Sequence, residues 1–490
     1  MTTAERRTDD PAAVLDSVPL GAFVGGTWTD TGRTFPVEDP ATGEVLAAVA
    51  DCGPDEARAA LDAAAAARPA LAATAPRERA ELLRRIHELL LRDRERLATI
   101  ITLEMGKPVA ESRGEVAYAA EFFRWFSEEA CRIEGSYATS PDGRGRILVT
   151  RRPVGPCLLI TPWNFPLAMG ARKIAPALAA GCTSVVKPAE QTPLTMLALA
   201  ALLEEAGVPA GAVSVLPASD PEAVADPVLA DPRLRKLSFT GSTEVGRHLI
   251  RRSADQVLRV SLELGGNAPF LVFEDADLDA AVEGALVAKM RNGGEACTAA
   301  NRFLVHDAVA DEFARRLAER MAALVVGRGT EPGVDVGPLI DGPARDRVVG
   351  LIEEATAGGA QVRTGGAALP GAGYFLEPTV LTDVPAGAEM TRTEIFGPVA
   401  PIQRFDDTDA AVAAANDTPY GLVSYVYTRD IDRALAVCEA LEAGMVGLNR
   451  GVVSDPAAPF GGVKQSGLGR EGGRVGIDEF LETTYVALPR

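Results

Sequence analysis

The sequence predicts an α/β protein, with a Rossmann-type doubly wound parallel sheet followed by a second α/β domain. Two stretches of the chain indicate this fold. Between residues 146 and 266, short apolar runs such as "CLLI", "TSVVK" and "KLSFT" alternate with helical patterns, and the alternation starts again at Pro269 with "PFLVF". Such alternation is typical of right-handed βαβ units in parallel sheets. A chain of 490 residues is also too long for one ordinary hydrophobic core.

Helices are predicted where apolar residues recur at three- and four-residue spacing. A helical region runs over residues 54–106 with a break at 69–76, and another helix covers 116–133. The later helices are predicted over 167–180, 194–206, 243–253, 278–290 and 308–326. A strand is predicted at 484–488, which would be an exposed edge unless it pairs with another strand.

The charge balance limits the partners of this protein. The chain carries 49 basic and 68 acidic residues, a formal net charge of −19, which repels nucleic acid and anionic membranes. An anionic substrate would need a local cluster of arginines to reverse this field. We therefore expect a small-molecule substrate, with neither nucleic acid nor a membrane as a partner.

The cysteine and histidine contents argue against a disulfide framework and against a metal site. The chain has three histidines, and its six cysteines are far apart with no C-x-x-C pair. The amino-terminal segment lacks the apolar stretch of a secretory signal. The uncharged run 153–171 contains four prolines, which disfavour a membrane helix. We expect a cytoplasmic location and no bound metal.

Three side chains are candidates for chemistry, and each has a structural alternative. Cys297 lies among small residues in "RNGGEACTAANR", either as a reacting thiol in a thin wall or in a well-packed turn. Asn164 in "TPWNFP" is a candidate amide donor to an oxyanion or part of a turn. Glu263 in "SLELGGNAP" is a candidate general base or a solvated acid. Together the three side chains suit covalent oxidation of a carbonyl.

Two strand ends are candidates for nucleotide binding. In "KLSFTGSTEVG", Ser242 precedes a helix whose amino terminus suits a pyrophosphate, although Ser242 equally suits a simple helix cap. Lys187 and Glu190 follow another strand, where a lysine and an acid bind ribose hydroxyls or remain solvated. The letters Gly467-Leu-Gly469-Arg-Glu-Gly472 match a dinucleotide fingerprint, but no strand precedes them, so a glycine-rich loop is favoured.

Seven motifs in order give the chain a family resemblance. "TPWNFP", "KPAEQTP", "FTGSTEVG", "LELGGNAP", "GEACTAANR", "EIFGPV" and "PFGGVKQSGLGREG" closely resemble those of the aldehyde dehydrogenase superfamily, from about residue 20 onward. The resemblance implies that Cys297 attacks an aldehyde while Asn164 and the Cys297 backbone N–H stabilise the oxyanion. It also implies that Glu263 activates the water that hydrolyses the thioester.

The resemblance further implies an NAD cofactor and its contacts. Trp163, Lys187 and Glu190 are expected near the adenosine ribose, and Ser242 at the pyrophosphate. Glu394 and Phe396 in "EIFGPV" are expected around the nicotinamide ribose. Because the Glu190 carboxylate repels a 2′-phosphate, NAD is expected to be preferred and NADP to be a poorer second cofactor.

Within the superfamily the chain is similar to the succinate-semialdehyde dehydrogenase branch. That similarity implies that Arg172, Arg291 and Ser454 hold the distal carboxylate of the substrate. Ala299 stands where some members carry a second cysteine, so no redox switch is expected. Arg450 replaces a small or acidic residue and would extend the preference to longer semialdehydes. The alternatives are a glutarate-semialdehyde or broad aliphatic aldehyde dehydrogenase, and a catalytically silent structural protein.

The resemblance also predicts the domain organisation. Residues 1–132 and 151–260 are expected to form the NAD-binding domain, and 261–447 the catalytic domain. Residues 133–150 and 470–490 are expected to form a small β oligomerisation element, which implies a homodimer or a homotetramer.

Overall fold

A computed structural model describes residues 11–490 of the chain. The strands are β1 (Ala22–Val24), β2 (Thr27–Thr29), β3 (Thr34–Asp39), β4 (Glu44–Ala50), β5 (Ser136–Thr139), β6 (Gly145–Pro153), β7 (Cys157–Ile160), β8 (Ser184–Lys187), β9 (Val213–Val215), β10 (Lys236–Thr240), β11 (Arg259–Glu263), β12 (Ala268–Val272), β13 (Ala300–His306), β14 (Gln361–Thr364), β15 (Thr379–Thr382), β16 (Val399–Phe405), β17 (Val423–Tyr427), β18 (Met445–Leu448), β19 (Gly467–Leu468) and β20 (Leu481–Pro489).

The helices alternate with the strands in both halves of the chain. They are α1 (Pro54–Ala73), α2 (Pro76–Arg92), α3 (Arg94–Met105), α4 (Val109–Glu129), α5 (Ala168–Ala180), α6 (Pro193–Glu205), α7 (Pro221–Ala230), α8 (Thr243–Ala254), α9 (Leu278–Met290), α10 (Asp307–Ala322), α11 (Gly342–Ala357), α12 (Thr408–Asn416) and α13 (Ile431–Ala440).

The first sheet is doubly wound and has the order β19-β11-β10-β7-β8-β9-β1-β2. Strands β7 to β11 are parallel, and β19, β1 and β2 are antiparallel additions. Buried apolar side chains such as Leu158, Val185 and Leu237 fill the face of this sheet against the helices. The strand order reverses between β7 and β10, the position at which such sheets bind ligands. The predicted α/β fold with a doubly wound sheet is confirmed.

The second sheet has the order β14-β15-β16-β13-β12-β17-β18 and is parallel except for β14. The chain passes from the first sheet to the second over residues 264–267, directly after Glu263. Strand β11 belongs to the first sheet up to Glu263, so that sheet extends slightly beyond residue 260. The functional division into three domains stays a prediction.

A third, three-stranded sheet has the order β20-β6-β5. Strand β20 pairs antiparallel with β6 over its whole length, from Leu481 opposite Pro153 to Pro489 opposite Gly145. The strand predicted at 484–488 is therefore longer than expected, and β6 covers one of its edges.

Two helix predictions were wrong in their limits. Helix α1 continues through Pro69 to Ala73, because residues such as Leu61 and Leu71 are buried and packing outweighs the lost hydrogen bond. Helix α4 begins at Val109 instead of residue 116. Its first turns carry Glu111 and Glu115, which face buried partners and conceal the apolar pattern.

Within residues 11–490, no helix combines the length and hydropathy needed to cross a bilayer.

Candidate active site

A cavity of about 350 Å³ lies at the carboxyl ends of β7, β10 and β11, between the two large sheets. Most of the sequence-predicted site residues line it: Trp163, Asn164, Arg172, Ser242, Glu263, Arg291, Cys297, Glu394, Phe396 and Ser454. The predicted residues Lys187 and Glu190 lie outside its lining and follow the neighbouring strand β8. The fold thus brings together side chains that are up to 291 positions apart in the sequence, from Trp163 to Ser454.

The loop before Cys297 uses its small residues for a tight backbone path. Asn292, Gly293 and Gly294 all have positive φ angles of 57°, 61° and 81°. A β-carbon on Gly294 would lie 2.2 Å from the Gly397 carbonyl oxygen, so no larger residue fits there. The loop holds Cys297, which is half-buried, against the cavity.

The thiol of Cys297 is protonated in this environment at neutral pH. Burial raises its pKa to about 12, and the carboxylates of Glu394 and Glu263 act in the same direction. The guanidinium groups of Arg172 and Arg291 lower the pKa but do not offset burial. The thiolate is the nucleophile, so a base must take the proton when the thiol reacts.

Glu263 is a buried carboxyl group that lines the same cavity, and it is the candidate for that base. It is the last residue of β11, is 3% exposed, and neither of its oxygens has a hydrogen-bond partner in the part of the chain that the structure describes. Burial raises the pKa of Glu263 well above its ordinary value, and the charge of Glu471 adds to the effect. Arg172 and Lys173 oppose this shift. A carboxylate with a raised pKa is a better proton acceptor near neutral pH.

Asn164 presents a side-chain amide to the same cavity. Its Nδ2 donates to the Glu295 carbonyl oxygen at 2.9 Å. The backbone carbonyl oxygen of Asn164 accepts from Lys107 Nζ at 2.7 Å and from Asn292 Nδ2 at 3.1 Å. Because an amide nitrogen carries two hydrogens, one donor of Asn164 remains for an oxygen in the cavity.

Another part of the cavity wall carries two arginines, Arg172 and Arg291, and is therefore cationic. Arg172 is 2% exposed, lies 2.8 Å from the Glu471 carboxylate, and stacks on Phe460 at 3.9 Å. Its Nη2 has no hydrogen-bond partner among the described residues. Arg291 Nη1 donates to Ser454 Oγ at 3.3 Å. The three residues predicted to bind a carboxylate therefore share one wall, with a buried donor still unpaired.

The side of the cavity near β10 carries the predicted nucleotide contacts. Ser242 caps α8, since its Oγ accepts the Val245 N–H at 3.3 Å, and it also lines the cavity. Trp163 and Phe396 contact edge to face, with ring centroids 5.4 Å apart. Phe396 has a φ of 52°, a strained conformation for a bulky residue.

Glu394 joins the two sheets at this side of the cavity. Its Oε1 accepts the Gly266 N–H at 3.3 Å. Burial raises its pKa to about 7, while the Gly266 N–H, Arg347 and Lys289 oppose the shift. A β-carbon on Gly265 would lie 2.8 Å from Glu394 Oε2, which explains the first of the paired glycines.

Lys187 and Glu190 form an ion pair of 2.9 Å. Lys187 is buried and the Glu190 side chain is 40% exposed, so the carboxylate faces solvent at the end of β8. The glycine-rich stretch that matches the dinucleotide fingerprint forms the short strand β19, antiparallel to β11, and no βαβ unit surrounds it. The loop interpretation is confirmed.

The sequence profile of the aldehyde dehydrogenase family matches residues 28–486. The chain belongs to this family. The resemblance that the seven motifs indicated is therefore confirmed, and with it the assignment of the chain as an aldehyde dehydrogenase.

This aldehyde dehydrogenase is similar to relatives that are named for different substrates. It is 57% identical over 444 residues to a succinate-semialdehyde dehydrogenase of Paenarthrobacter nicotinovorans, covering 91% of this chain and 99% of that protein. It is 50% identical to a glutarate-semialdehyde dehydrogenase of Pseudomonas putida, covering 95% and 97%. The structure of a succinate-semialdehyde dehydrogenase from Burkholderia pseudomallei superposes with a TM-score of 0.96 at 50% identity, covering 98% and 99%.

Sequence reasoning missed several residues of the aldehyde dehydrogenase site. Tyr118 lines the cavity together with Ser454, and the Arg291 guanidinium lies 5.9 Å from its ring centroid. Arg347 lines the cavity too and donates to the carbonyl oxygens of Glu394 and Ile395. Both residues lie on helices without a recognisable motif. Glu471 stands inside the glycine-rich stretch, where an acid among five glycines was the one available signal.

Proposed function

We propose that this aldehyde dehydrogenase oxidises succinate semialdehyde to succinate with NAD, through a thiohemiacetal and a thioester on Cys297. The observation that carries the substrate assignment is the cationic wall of the cavity. Arg172, Arg291 and Ser454 lie on it together, and Arg172 Nη2 has no hydrogen-bond partner within residues 11–490. In a protein of net charge −19, such a wall is what attracts a carboxylate.

The first step proposed is attack on the aldehyde carbon. The Cys297 thiol gives its proton to a base as the C–S bond forms, and the carbonyl oxygen becomes an oxyanion. The free Asn164 amide hydrogen donates to that oxygen, a contact whose strength grows as the charge develops. Glu263 is proposed as the base because its buried carboxyl group lines the same cavity as Cys297 and its pKa is raised by burial.

The second half of the reaction forms and breaks a thioester. NAD, when bound, accepts the hydride that leaves the substrate carbon. The C=O bond forms again and leaves an acyl group on the Cys297 sulfur. After Glu263 has released the thiol proton to solvent, it takes a proton from water, the water oxygen adds to the carbonyl carbon, and the C–S bond breaks to release the carboxylic acid and to return the Cys297 sulfur as a thiolate.

The residues around the cavity fit a dinucleotide. Ser242 stands at the amino terminus of α8, where backbone N–H groups suit a phosphate. Thr240, at the end of β10, lines the cavity, and its buried Oγ1 has no hydrogen-bond partner among the described residues. Trp163, Lys187 and Glu190 would hold the adenosine ribose, whereas Glu394 and Phe396 would hold the nicotinamide ribose.

The proposed preference for NAD rests on Glu190. The Glu190 carboxylate at the end of β8 supports this preference, because it would repel a 2′-phosphate bound beside it. Its ion pair with Lys187 weakens the repulsion, so NADP is expected to serve as a poorer second cofactor. Glu190→Ser would then raise kcat/KM for NADP relative to NAD.

Glutarate semialdehyde is the second candidate substrate, since a relative of that name is 50% identical over most of its length. Arg450 does not line the cavity, so its predicted effect on chain length has no direct contact to support it. The deciding experiment compares kcat/KM for succinate semialdehyde, glutarate semialdehyde and butanal, with both cofactors. Equal values for butanal and succinate semialdehyde would overturn the carboxylate-binding wall.

We also propose that the three-stranded sheet assembles the chain into a homodimer or homotetramer. Tyr137 and Tyr485 on this sheet are 62% and 61% exposed. Large exposed aromatic side chains on one sheet favour an interface. Light scattering after size exclusion tests the assembly, and a monomer at micromolar concentration would contradict it.

A further inference from the structure

Two buried loops meet behind the cavity, and a set of polar side chains ties them together. One loop runs over residues 161–167 and carries Asn164. The other runs over residues 291–297 and carries Cys297. Three of the tying residues, Lys107, Glu111 and Glu115, come from α4 and from the segment before it, outside the sequence motifs.

Lys107 binds the loop of residues 161–167. Its Nζ donates to the Asn164 carbonyl oxygen at 2.7 Å and forms an ion pair of 2.7 Å with Glu115. Glu115 in turn accepts the N–H groups of Leu167 and Ala168 at 2.9 and 3.1 Å. The Lys107–Glu115 ion pair therefore binds the loop through backbone groups before and after Phe165. Both charged groups are 3% exposed, so water does not compete for their hydrogen bonds.

Asn292 joins the first loop to the second. Its Nδ2 donates both to the Asn164 carbonyl oxygen at 3.1 Å and to the Glu295 carbonyl oxygen at 2.9 Å. The Glu295 oxygen also accepts from Asn164 Nδ2 at 2.9 Å. The backbone N–H of Asn292 donates to Glu111 at 2.7 Å. The Asn292 amide thus binds the backbone of Asn164 directly, and it shares the Glu295 carbonyl oxygen with the Asn164 side chain.

The local conformation of Asn292 supports a specific role for this side chain. Its φ of 57° lies in the left-handed region, where asparagine is tolerated better than other residues except glycine. It is 1% exposed. Glu111 and Glu115 lie four residues apart on α4, so one face of this helix supports both loops.

We infer that Lys107 and Asn292 are positioning residues that hold the Asn164 amide at the place where the oxyanion forms. This inference rests on the proposed function, in which Asn164 donates to that oxyanion. A donor acts on the transition state only when it is already aimed at the developing charge. Because the oxyanion forms on every aldehyde, the two residues would act equally on charged and uncharged substrates.

The test uses Asn292→Gly, which keeps the left-handed conformation and removes the amide. We expect the single-turnover rate of NADH formation to fall about tenfold to a hundredfold, with succinate semialdehyde and butanal alike. The rate at which iodoacetamide alkylates Cys297 is expected to stay unchanged, since alkylation of the sulfur creates no oxyanion. Rates are normalised to active sites by the amplitude of NADH formation, so loss of folded protein does not count.

A double-mutant cycle with Asn164→Ala separates this inference from the proposed function. If Asn292 acts through Asn164, adding Asn292→Gly to Asn164→Ala costs no further rate. An equal loss in both backgrounds, or a parallel loss of alkylation, would overturn the inference. Full activity of Asn164→Ala alone would instead overturn the proposed oxyanion donor.

A second variant keeps the inference testable if Asn292→Gly yields little folded protein. The pair Lys107→Met and Glu115→Gln removes the ammonium together with its counter-charge, and leaves an acceptor for the N–H groups of Leu167 and Ala168. The same fall in single-turnover rate, absent in the Asn164→Ala background, is expected. An unchanged rate would exclude Lys107 as a positioning residue.

Discussion

Gly266 and Cys297 approach so closely that a β-carbon on Gly266 would lie 2.5 Å from the Cys297 carbonyl oxygen. Gly266 lies in the segment that links the two large sheets, three residues after Glu263. Backbone contact at this point fixes the distance between the strand that carries Glu263 and the loop that carries Cys297.

Gly266→Ala is therefore expected to displace the nucleophile. The added methyl group must push away a backbone atom, and a displacement near 1 Å at a reacting group costs on the order of 10²-fold in rate. We expect kcat to fall by about that factor while the far-ultraviolet circular dichroism is retained. Gly350→Ala on α11 is the control, because no atom lies within 4 Å of its added carbon. Equal activities of the two variants would contradict the argument.

The pH dependence of the thiol follows from its surroundings. The pKa of Cys297 is raised to about 12, so the reactive thiolate is scarce at pH 7 and increases as the pH rises. Arg291 lowers that pKa, and Arg291→Gln is expected to raise it further. The rate of iodoacetamide inactivation of the free enzyme should then rise at higher pH in the variant than in the wild type.

The matched control for this measurement is Arg315→Gln. Arg315 lies on α10, where it pairs with Glu312 and Glu319, and it does not line the cavity. A profile for Arg291→Gln that coincides with that of Arg315→Gln would show that the Arg291 charge does not act on the thiol.

Tyr118 is expected to contribute to carboxylate recognition. Burial raises the pKa of its hydroxyl, so the group keeps its proton and can donate to a carboxylate, and it lines the same cavity as Arg172, Arg291 and Ser454. Loss of a hydrogen bond to a charged group costs roughly 1.5–3 kcal/mol. Tyr118→Phe should raise KM for succinate semialdehyde about tenfold or more and leave KM for butanal unchanged. Tyr137→Phe on β5 is the control, and an equal effect on both aldehydes would exclude Tyr118 from recognition.

Much of the fold was predictable because local signals and burial agree. Strands β7, β8 and β10 are short, almost entirely buried segments that carry apolar residues such as Leu158, Val185 and Leu237, and turn residues separate them from the helices. Cys297, Glu263 and Asn164 were identifiable because their motifs carry glycine and proline at positions that the backbone requires. The paired glycines before Asn267, for example, are explained by contacts with Glu394 and Cys297.

The ties behind the cavity were not predictable from the same signals. Glu111 and Glu115 resemble solvent-facing acids of an amphipathic helix, and only the fold shows that their partners are Asn292 and Lys107. Polar groups that pair across long sequence separations leave no periodic pattern. The limits of α4 were mispredicted for the same reason.

Lys289 is a buried lysine that interacts electrostatically with Glu394, which lines the cavity, and its burial lowers the stability of the fold. It is the penultimate residue of α9, is fully buried, and its ammonium has no hydrogen-bond partner among residues 11–490. Burial lowers its pKa from 10.5 to about 7, against the opposing attraction of Glu394. Near pH 7 the folded protein therefore holds both the neutral amine and the ammonium, whereas the unfolded chain holds the ammonium.

Lys289→Met is expected to stabilise the fold in a pH-dependent way. Above about pH 10.5 the amine is neutral in both states and carries no cost; as the pH falls from there to 7, the unfolded chain gains the proton first and the cost grows. Removal of the amine should then stabilise the protein by on the order of a few kcal/mol at pH 7, and by nothing above pH 10.5. Apparent Tm values at the two pH values measure this difference.

The same substitution is expected to weaken NAD binding, because Lys289 lowers the pKa of Glu394 and so favours its ionised form. KM for NAD at pH 7 should rise while Tm rises. Lys236→Met supplies the contrast: this buried ammonium donates to Ser261 Oγ at 2.7 Å and lies 3.5 Å from Glu479, so its loss should lower Tm. A fall in Tm for Lys289→Met at pH 7 would show that the ammonium is paired in solution, and an unchanged KM would separate it from Glu394.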